Sequence, residues 1–395
     1  MIGYLPALGI VSPLGLGKEQ VARNLFAGSR DGVVCRAGLL SGRSVRVGAV
    51  DHPLRDVPAQ LNHFDCRNNR MALTAVEEIR PQIAAALRRH GAERLAVVMG
   101  SSTSGLAEGE AALTALRRNG AWPRDYHYTQ QELGNLAACL ADHLGITGPA
   151  YTLSTACSSS GKVFASASRL LRLGISDAVL VGGVDTLCGL TLNGFHSLEA
   201  IAADYCNPFS RNRDGINIGE GAAVFLMTRE PSPIALLGTG ESSDAHHVSA
   251  PDPSGAGACR AMRLALAAAR LATSDIDYVN VHGTATPLND AMEGKAIDAV
   301  FGDDIPCSST KPLTGHMLGA AGAAEAAFLW LALHPDFATG GVPPHLWDGA
   351  ADPEIPALNL ATAATRLPDR AHSAMMSNSF GFGGSNVALI LGRGW

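Results

Sequence analysis

The fold of this chain is decided by the stretch Tyr151-Thr-Leu-Ser-Thr-Ala-Cys157-Ser-Ser-Ser-Gly161-Lys-Val163. Its apolar first residues predict a strand, and the small residues that follow predict a turn into a helix with apolar positions at Val163, Ala167 and Leu170. Cys157 therefore lies at a helix start, where unpaired N–H groups and the positive end of the helix dipole favour the thiolate. Two interpretations are open from this stretch alone, a catalytic nucleophile or a thiol packed in the core.

The composition indicates a folded protein with a large core. Of 395 residues, 47% are hydrophobic and 17% are charged, which is the balance of a globular chain rather than a disordered one. The net charge of −6 disfavours a general binder of nucleic acid or of membrane surfaces. Of the 30 basic residues only Lys18, Lys162, Lys295 and Lys311 are lysines, so a lysine beside other candidate site residues stands out.

The cysteines and the apolar segments predict a reduced, cytoplasmic protein without a metal site. Eight cysteines are scattered with no Cys-x-x-Cys pair, which argues against the usual zinc and redox spacings. The N-terminus lacks a basic start and is broken by proline and glycine, so it predicts a first strand and turn rather than a signal peptide. The most apolar later segment, 319–334, is too short to span a bilayer and carries Glu325.

Helical and strand patterns alternate along the chain, which predicts an α/β architecture. Strand patterns at 95–100 and 177–185 are apolar on both faces, as in parallel or mixed sheets that helices cover. The second half repeats the plan more loosely, with strands predicted at 233–238, 277–282 and 386–391 and helices at 257–271, 290–301 and 320–333. We therefore predict two similar halves, 1–232 with the cysteine and 233–395, that form one rigid body.

Three further segments place reactive side chains beside small-residue turns at predicted strand ends. They are Val279-Asn-Val-His282-Gly-Thr284-Ala-Thr286-Pro, Ser309-Thr-Lys311-Pro-Leu-Thr-Gly315-His316 and Asn378-Ser-Phe380-Gly-Phe382-Gly-Gly-Ser-Asn386. Each alone has an ordinary explanation, such as a capping histidine, a surface lysine or a turn before the last strand. Together with Cys157 they supply a nucleophile, two imidazoles and an ammonium group, which is the set expected for thioester chemistry.

These four segments resemble the elongating β-ketoacyl-acyl carrier protein synthases of the thiolase superfamily. The shared motifs are Thr155-Ala-Cys157-Ser, His-Gly-Thr-x-Thr-Pro, Lys-x-x-x-Gly-His and Asn-Ser-Phe-Gly-Phe-Gly-Gly-Ser-Asn, in the same order and at about the same spacing. Further similarity at 207–222 and 242–247 extends the resemblance over essentially the whole chain. It implies a thiolase-like, five-layered αβαβα fold of two duplicated halves with mixed sheets, which usually forms a dimer.

The resemblance also implies a reaction in two stages. Cys157 takes an acyl group from an acyl carrier protein thioester. Malonyl-acyl carrier protein then loses carbon dioxide, and the resulting carbanion attacks the acyl-cysteine to give a 3-oxoacyl chain two carbons longer. The substrates are carried on the phosphopantetheine arm of the carrier protein, and no prosthetic group is implied.

The resemblance assigns a role to each matching residue. His282 and His316 hold the malonyl thioester carbonyl, while Lys311, paired with Glu325, sets the electrostatics around His316. The remaining assignments are an oxyanion hole at the amides of Cys157 and Phe382, a gate formed by Gly381, Phe382, Gly383 and Gly384, contacts of Thr284 and Thr286 with the pantetheine arm, a supporting role for Glu293, and an acyl pocket at Thr103 and Phe195.

Some positions depart from the fatty-acid synthases of this family. Glu199 lies where a basic residue is common, Thr103 replaces a bulkier aliphatic residue, and the stretch 228–238 is short. These departures fit a specialised synthase, for aryl polyenes or another polyketide-like lipid, that acts as a homodimer or pairs with a cysteine-less chain-length factor. The alternative is that this chain is itself the non-catalytic, chain-length-determining partner, which the joint presence of the cysteine, both histidines and the lysine disfavours.

Docking to an acidic carrier protein requires a local basic patch, because the chain is net negative. The candidates are Arg67, Arg70, Arg211 and Arg213, with the alternative that they are solvated or paired internally. Two nucleotide-like patterns support no cofactor. The run 160–163 lacks the other residues of a phosphate loop, and the glycines after Phe380 precede a strand rather than a helix.

Overall fold

The computed structural model describes residues 3–368 and 370–395. Its strands are β1 Gly3–Ser12, β2 Gly15–Leu16, β3 Val33–Leu40, β4 Arg43–Gly48, β5 Leu95–Gly100, β6 Ala150–Leu153, β7 Ala178–Asp185, β8 Gly221–Thr228, β9 Ile234–Ser243, β10 Ile276–Asn280, β11 Pro306–Ser308, β12 Asn359–Leu360, β13 Ser373–Gly381 and β14 Ser385–Arg393. Its α-helices are α1 Lys18–Phe26, α2 Arg67–Glu77, α3 Arg80–His90, α4 Leu106–Asn119, α5 Asn135–Leu144, α6 Ser159–Arg172, α7 Gly189–Ser197, α8 Ala256–Ala269, α9 Pro287–Phe301, α10 Lys311–Thr314 and α11 Ala321–Leu333.

The main sheet is built from the same strand order twice. The order is β6-β5-β7-β8-β1 in the N-terminal half and β11-β10-β13-β14-β9 in the C-terminal half, with β12 beside β11. In both halves the first three strands are parallel and the last two are antiparallel to their neighbours. The halves join where Gly3 and Tyr4 of β1 pair with Leu236 and Ala235 of β9.

Helices cover both halves of the sheet and give five layers. Helices α2 and α5 pack on the outer face of the N-terminal half, and α8 and α9 pack on the outer face of the C-terminal half. Helices α6 and α11 fill the layer between the two halves. The αβαβα arrangement predicted from the resemblance is therefore confirmed.

Strands β5 and β7 lie in the middle of the N-terminal half and are buried at every residue. Their sequences, LAVVMG and AVLVGGVD, are apolar on both faces because helices cover both sides of the sheet. The two strands are parallel and pair along their length, so Gly100 and Asp185 both lie at the carboxyl edge of the sheet. The turn that carries Cys157 follows the neighbouring parallel strand β6 at this same edge.

The three C-terminal motifs follow the parallel strands of the other half in the same way. His282 follows β10, Lys311 follows β11, and Phe382 follows β13. Because the carboxyl ends of parallel strands meet at one edge of a sheet, residues that are far apart in sequence come together there. The duplication thus brings a nucleophile from one half opposite imidazoles from the other.

Helix α11 is the longest of the described helices that are buried at every residue. All 13 of its residues are buried, and it packs on α6 where both helices carry glycine. A Cβ atom on Gly322 would lie 2.7 Å from the backbone nitrogen of Gly161, so a larger residue would force the two helices apart. Glu325 is the single ionisable residue of this helix. None of the described helices combines the length and the apolar character needed to cross a membrane.

Candidate active site

Cys157 lies in a sharp turn between β6 and α6, two residues before the helix begins. Ala156, just before it, adopts a left-handed conformation with φ of 53°, which costs roughly 1–2 kcal/mol for a residue with a Cβ atom. The hydroxyl of Ser159 donates to the carbonyl of Ala156 at 2.5 Å and accepts from the N–H of Thr155 at 2.8 Å. The run of small hydroxylated residues therefore holds the turn that presents the thiol.

The thiol of Cys157 is buried, and its ionisation differs from the sequence prediction. Burial raises the pKa of Cys157 to about 12, while the charge of Lys311 and the backbone N–H groups of Phe382 and Cys157 act to lower it. The resting group is therefore a thiol, and the predicted preference for the thiolate at the helix start is wrong because desolvation outweighs the helix terminus. The Nε2 atom of His316 lies 3.1 Å from Sγ, so this imidazole can exchange a proton with the thiol.

His282 enters the site where the chain leaves β10. The carboxylate of Glu293, on α9, accepts the backbone N–H groups of His282 and Gly283, both at 2.7 Å. This fixes the turn and places the ring of His282 edge-on to the ring of His316, with centroids 5.2 Å apart. Burial raises the pKa of Glu293 to about 8 even though the two N–H groups oppose the shift. Glu293 therefore supports His282 through the backbone.

His316 is held by backbone bonds on both sides. Its N–H donates to the carbonyl of Asn217 at 2.6 Å, and its own carbonyl accepts the N–H of Gly219 at 2.8 Å. The preceding Gly315 has φ of 69°, so a left-handed glycine turns the chain out of α10. Burial and the charge of Lys311 hold the pKa values of His282 and His316 well below the usual range. Both imidazoles are therefore neutral at pH 7 and able to donate one N–H each.

Lys311 and Glu325 form an ion pair beneath the two histidines. Nζ lies 2.6 Å from Oε1, and the side chains are 2% and 3% exposed. Burial raises the pKa of Glu325, and the adjacent ammonium opposes that shift. The pair places a positive charge close to His282, His316 and Cys157 without exposing it to the cavity mouth.

The glycine-rich turn after β13 lies directly against the nucleophile. A Cβ atom on Gly381 would be 2.9 Å from the carbonyl oxygen of Thr155 and 3.2 Å from the nitrogen of Cys157. Gly383 and Gly384 both have positive φ, 79° and 74°. The amide of Phe382 lowers the pKa of Cys157, which places this N–H group next to the sulfur.

Phe382 covers the reactive centre from outside. Its side chain is 39% exposed, and its ring packs against the ring of Phe195 with centroids 5.4 Å apart. The turn is anchored to a neighbouring loop, because Gly383 donates to the carbonyl of Val248 at 2.8 Å. Both rings line the cavity that leads to Cys157.

One cavity of about 370 Å³ leads from the surface to these groups. Its walls include Thr284 and Thr286, whose hydroxyls lie 2.9 Å apart. The lining also comprises Cys157, Phe195, Leu198, Glu199, Ala200, Ile216, Asp244, Ser249, Ala250, Pro251, His282, Pro287, Leu288, Asn289, His316, Phe380, Gly381, Phe382 and Asn386. A larger polar cavity of about 820 Å³ borders α2 and the 123–130 segment, and it contains none of the candidate catalytic residues.

Thr103 does not line this cavity. Its hydroxyl donates to Asp185 at 3.0 Å and accepts the N–H of Thr186 at 3.0 Å, and the residue is fully buried. The acyl-pocket role of Thr103 stays a prediction, and within this chain its hydroxyl is engaged in the loop that follows β5.

The candidate docking arginines are mostly engaged within the chain. Arg67 pairs with Glu220, Arg70 with Asp65, and Arg213 with Asp352. Among the described residues Arg211 is exposed and has no carboxylate partner. The alternative of internal pairing thus holds for three of the four.

Sequence reasoning missed three residues that support the site, namely Asp185, Asn217 and His345. The ring of His345 accepts the N–H of Ser309 at 3.1 Å and lies 3.1 Å from the carbonyl of Pro208, which anchors the segment before Lys311. Their partners come from distant parts of the chain, so no local pattern marks them. An aspartate that ends a wholly apolar strand was the one available signal for Asp185.

The side chains of Cys157, His282 and His316 also have a spacing that a metal ion could use. Their ligand atoms all lie within 4.8 Å of one another. The charge of Lys311, which acts on all three groups, would oppose a cation there. The arrangement suits a nucleophile with two neutral N–H donors better than a set of metal ligands.

Comparisons with known proteins agree with this geometry. The family model for the beta-ketoacyl synthase N-terminal domain matches residues 7–232, and that for the C-terminal domain matches residues 234–346. The chain is 32% identical to 3-oxoacyl-[acyl-carrier-protein] synthase 1 of Haemophilus influenzae over 98% of both chains. It is 35% identical to 3-oxoacyl-[acyl-carrier-protein] synthase 2 of Rhizobium meliloti over 75% of this chain and 73% of that protein.

A solved structure is similar over nearly the full length. A chain from the complex of the ketosynthase ApeO with its chain length factor ApeC, from Xenorhabdus doucetiae, matches with a TM-score of 0.94 and 46% identity, covering 99% of this chain and 98% of that one. The fold and the site define a condensing acyltransferase. The chain belongs to the beta-ketoacyl synthase family.

Proposed function

We propose that this chain catalyses decarboxylative condensation of malonyl-acyl carrier protein with an acyl group held on Cys157. The observation that carries the proposal is the buried thiol with the Nε2 atom of His316 at 3.1 Å and the ring of His282 beside it, at the end of a cavity open to solvent. The cavity suits a substrate delivered on a long flexible arm, since Cys157 is only 6% exposed.

In the first stage Sγ of Cys157 attacks the carbonyl carbon of the acyl-carrier thioester. The thiol proton passes to the departing carrier thiolate, with His316 as the nearest base. The amides of Cys157 and Phe382 stabilise the oxyanion as it forms, because both already lie beside the sulfur.

In the second stage the two neutral imidazoles donate N–H groups to the thioester oxygen of malonyl-carrier protein. The bond to the carboxylate breaks, carbon dioxide leaves, and the enolate oxygen is stabilised by His282 and His316 with Lys311 nearby. The enolate carbon then attacks the acyl-cysteine carbonyl and the new carbon–carbon bond forms. The tetrahedral intermediate expels Cys157 as the thiolate, which takes up a proton from solvent and returns to the thiol. Thr284 and Thr286 contact the pantetheine arm, and Gly381, Phe382, Gly383 and Gly384 form the gate, with Phe195 beside the acyl chain.

The pathway we propose is a specialised one in the cytoplasm, for an aryl polyene or another polyketide-like product. The support is the higher identity to a chain of a complex between a ketosynthase and its chain length factor, 46%, than to the 3-oxoacyl synthases, 32% and 35%. No prosthetic group is required, because both substrates arrive on carrier protein.

We further propose that the active unit is a dimer, formed with a chain-length factor or with a second copy. Strand β6 is the last strand of the N-terminal sheet, with β5 on one side. Because β5 binds β6 through Pro149 and Leu153, alternation turns the backbone groups of Ala150 and Thr152 to the free side. An exposed sheet edge of this kind is a template for another chain, and pairing there would cover it.

The proposed reaction is tested by mixing the purified protein with acyl-carrier and malonyl-carrier proteins and weighing all species by intact-protein mass spectrometry. We expect an acyl adduct on the chain and a carrier-bound 3-oxoacyl product, both lost by at least roughly 10³-fold in Cys157→Ala. Cys259→Ala, a buried cysteine on α8, is the matched control and should retain both. Product formation that survives Cys157→Ala would contradict the assignment of the nucleophile, whereas no product from the folded, unsubstituted chain would favour the non-catalytic partner.

A further inference from the structure

Asp185 is a buried carboxylate that accepts hydrogen bonds from two separate segments of the chain. Its Oδ1 accepts the hydroxyl of Ser101 at 2.8 Å, the N–H of Ser102 at 2.7 Å, and both the N–H and the hydroxyl of Thr103 at 2.9 and 3.0 Å. Its Oδ2 accepts the hydroxyl of Ser102 at 2.5 Å and the N–H of Gly319 at 2.6 Å. One side chain therefore ties the loop after β5 to the segment before α11.

The Gly319 contact connects Asp185 to the reactive centre. Gly319 lies three residues after His316, and Leu318 between them has a left-handed φ of 47°. A Cβ atom on Gly319 would lie 2.8 Å from the nitrogen of Ser102 and 2.9 Å from Oδ2 of Asp185, so the segments are in close contact. The bonds to Asn217 and Gly219 hold His316 itself, and Asp185 holds the chain immediately beyond it.

The carboxylate is also close to the nucleophile. The negative charge of Asp185 raises the pKa of Cys157. The carboxyl ends of β5 and β7 pack tightly against the start of α6. A Cβ atom on Gly100 would lie 2.6 Å from Ser160, and one on Gly183 would lie 2.3 Å from it. Close packing thus fixes the start of α6, the helix that follows Cys157. The segment after His316 is instead held by the hydrogen bond from Gly319 to the carboxylate of Asp185.

We propose that Asp185 is a positioning residue for the condensation stage, which fixes His316 relative to Cys157 by binding the 101–103 loop and Gly319 to one carboxylate. This inference rests on the role proposed for His316. It affects the two half-reactions unequally, because acyl transfer to Cys157 needs His316 only as the base nearest the thiol proton, while decarboxylation of the malonyl group requires the N–H groups of both imidazoles in place.

The test is Asp185→Asn, which keeps the shape but replaces one acceptor oxygen by a donor that faces other donors. We expect acylation of Cys157, measured by intact mass, to fall less than about tenfold and carbon dioxide release from malonyl-carrier protein to fall roughly 10²-fold, since a misplacement of about 1 Å has an effect of that size. Asp277→Asn is the matched control, a buried carboxylate at the opposite end of strand β10, and it should leave the ratio of the two rates unchanged.

A second pair of variants keeps the proposal testable if Asp185→Asn does not fold. Ser102→Ala removes a donor from Oδ2, the oxygen shared with Gly319, while Ser101→Ala removes one from Oδ1. We expect the first to lower decarboxylation relative to acylation and the second to change the ratio less. An equal loss of both half-reactions, or no loss in any folded variant, would overturn the proposal. Decarboxylation that persists in His316→Ala would instead overturn the proposed role of His316.

Discussion

At the scale of single residues, variants of the Lys311–Glu325 ion pair allow its effect on stability to be measured apart from its effect on catalysis. Lys311→Met leaves the buried carboxylate of Glu325 without its partner, so we expect unfolding in denaturant to be easier by about 3–5 kcal/mol. Adding Glu325→Leu removes the uncompensated charge and should restore most of that stability. Condensation should remain low in the double variant, because the positive charge beside the imidazoles is absent; a double variant that regains full activity would show that the charge has no catalytic role.

His345 makes the stability of the fold depend on pH. Burial lowers the pKa of His345 from its usual 6.5 to about 4, with the charge of Arg30 acting in the same direction and the hydrogen bond to the carbonyl of Pro208 opposing it. The unfolded chain binds this proton more readily, so the stabilisation is complete above pH 6.5 and is lost as the pH falls through about 4, by at most roughly 3 kcal/mol. Urea unfolding from pH 4 to 7 should show a flatter curve for His345→Gln, whereas exposed His246→Gln should follow the unsubstituted protein.

The residues of the site fall into two groups, those that a local sequence motif marks and those whose partners are distant in sequence. Four candidates each lie in a short motif beside a predicted strand end, so local sequence was enough to select them: Cys157, His282, Lys311 and His316. Asp185 and His345 bind partners more than 30 residues away in sequence, which no local pattern encodes. The ionisation of the thiol could not be predicted either, because the helix start was visible in the sequence and the degree of burial was not.

At the scale of elements, the turn between β13 and β14 offers a test of the contact with the nucleophile. Gly381 has an ordinary φ of −100°, so Gly381→Ala strains no dihedral angle and acts through the contacts of its Cβ with Thr155, Cys157 and Ser158. We expect acylation of Cys157 to slow by roughly 10²-fold, since the oxyanion amide of Phe382 moves with the turn. The measurement is the rate of the mass increase on mixing with acyl-carrier protein.

Gly383→Asn is the control for this turn. A Cβ atom at Gly383 meets nothing within 4 Å, and asparagine tolerates its left-handed φ of 79° better than other residues do. This variant should acylate faster than Gly381→Ala, because it changes the same turn without a contact to the nucleophile. A large loss in Gly383→Asn together with a small one in Gly381→Ala would refute the contact argument.

Elements with strong periodicity were predicted well, and those fixed by tertiary contacts were not. Helices α8, α9 and α11 and strands β7 and β10 lie within a few residues of their predicted bounds. Helix α7, sequence GLTLNGFHS, was not predicted because it contains two glycines, and Glu110 of α4 fixes its start by accepting the N–H groups of Gly189 and Leu190. The hairpin β3–β4 was missed because its register shifts after Arg36 and breaks the alternation.

At the scale of the whole molecule, the free side of β6 predicts how the protein assembles. Thr152→Pro removes an outward N–H group and leaves the ladder with β5 intact, so we expect a folded monomer where the unsubstituted protein forms a dimer. Thr152→Val keeps the N–H group and should remain dimeric. Native mass spectrometry distinguishes the two, and a dimer that persists in the proline variant would place the interface elsewhere.

Helix α11, enclosed between the two halves of the sheet, has a consequence for how the molecule opens. With all 13 residues buried, its amide hydrogens reach solvent only when both halves separate, so their exchange with deuterium should report the global unfolding free energy. We expect the α11 amides to be among the last to exchange, well after those of the half-exposed α7. The same helix carries Glu325, the carboxylate that pairs with Lys311. The ion pair of the site is therefore exposed to solvent only when the whole molecule unfolds.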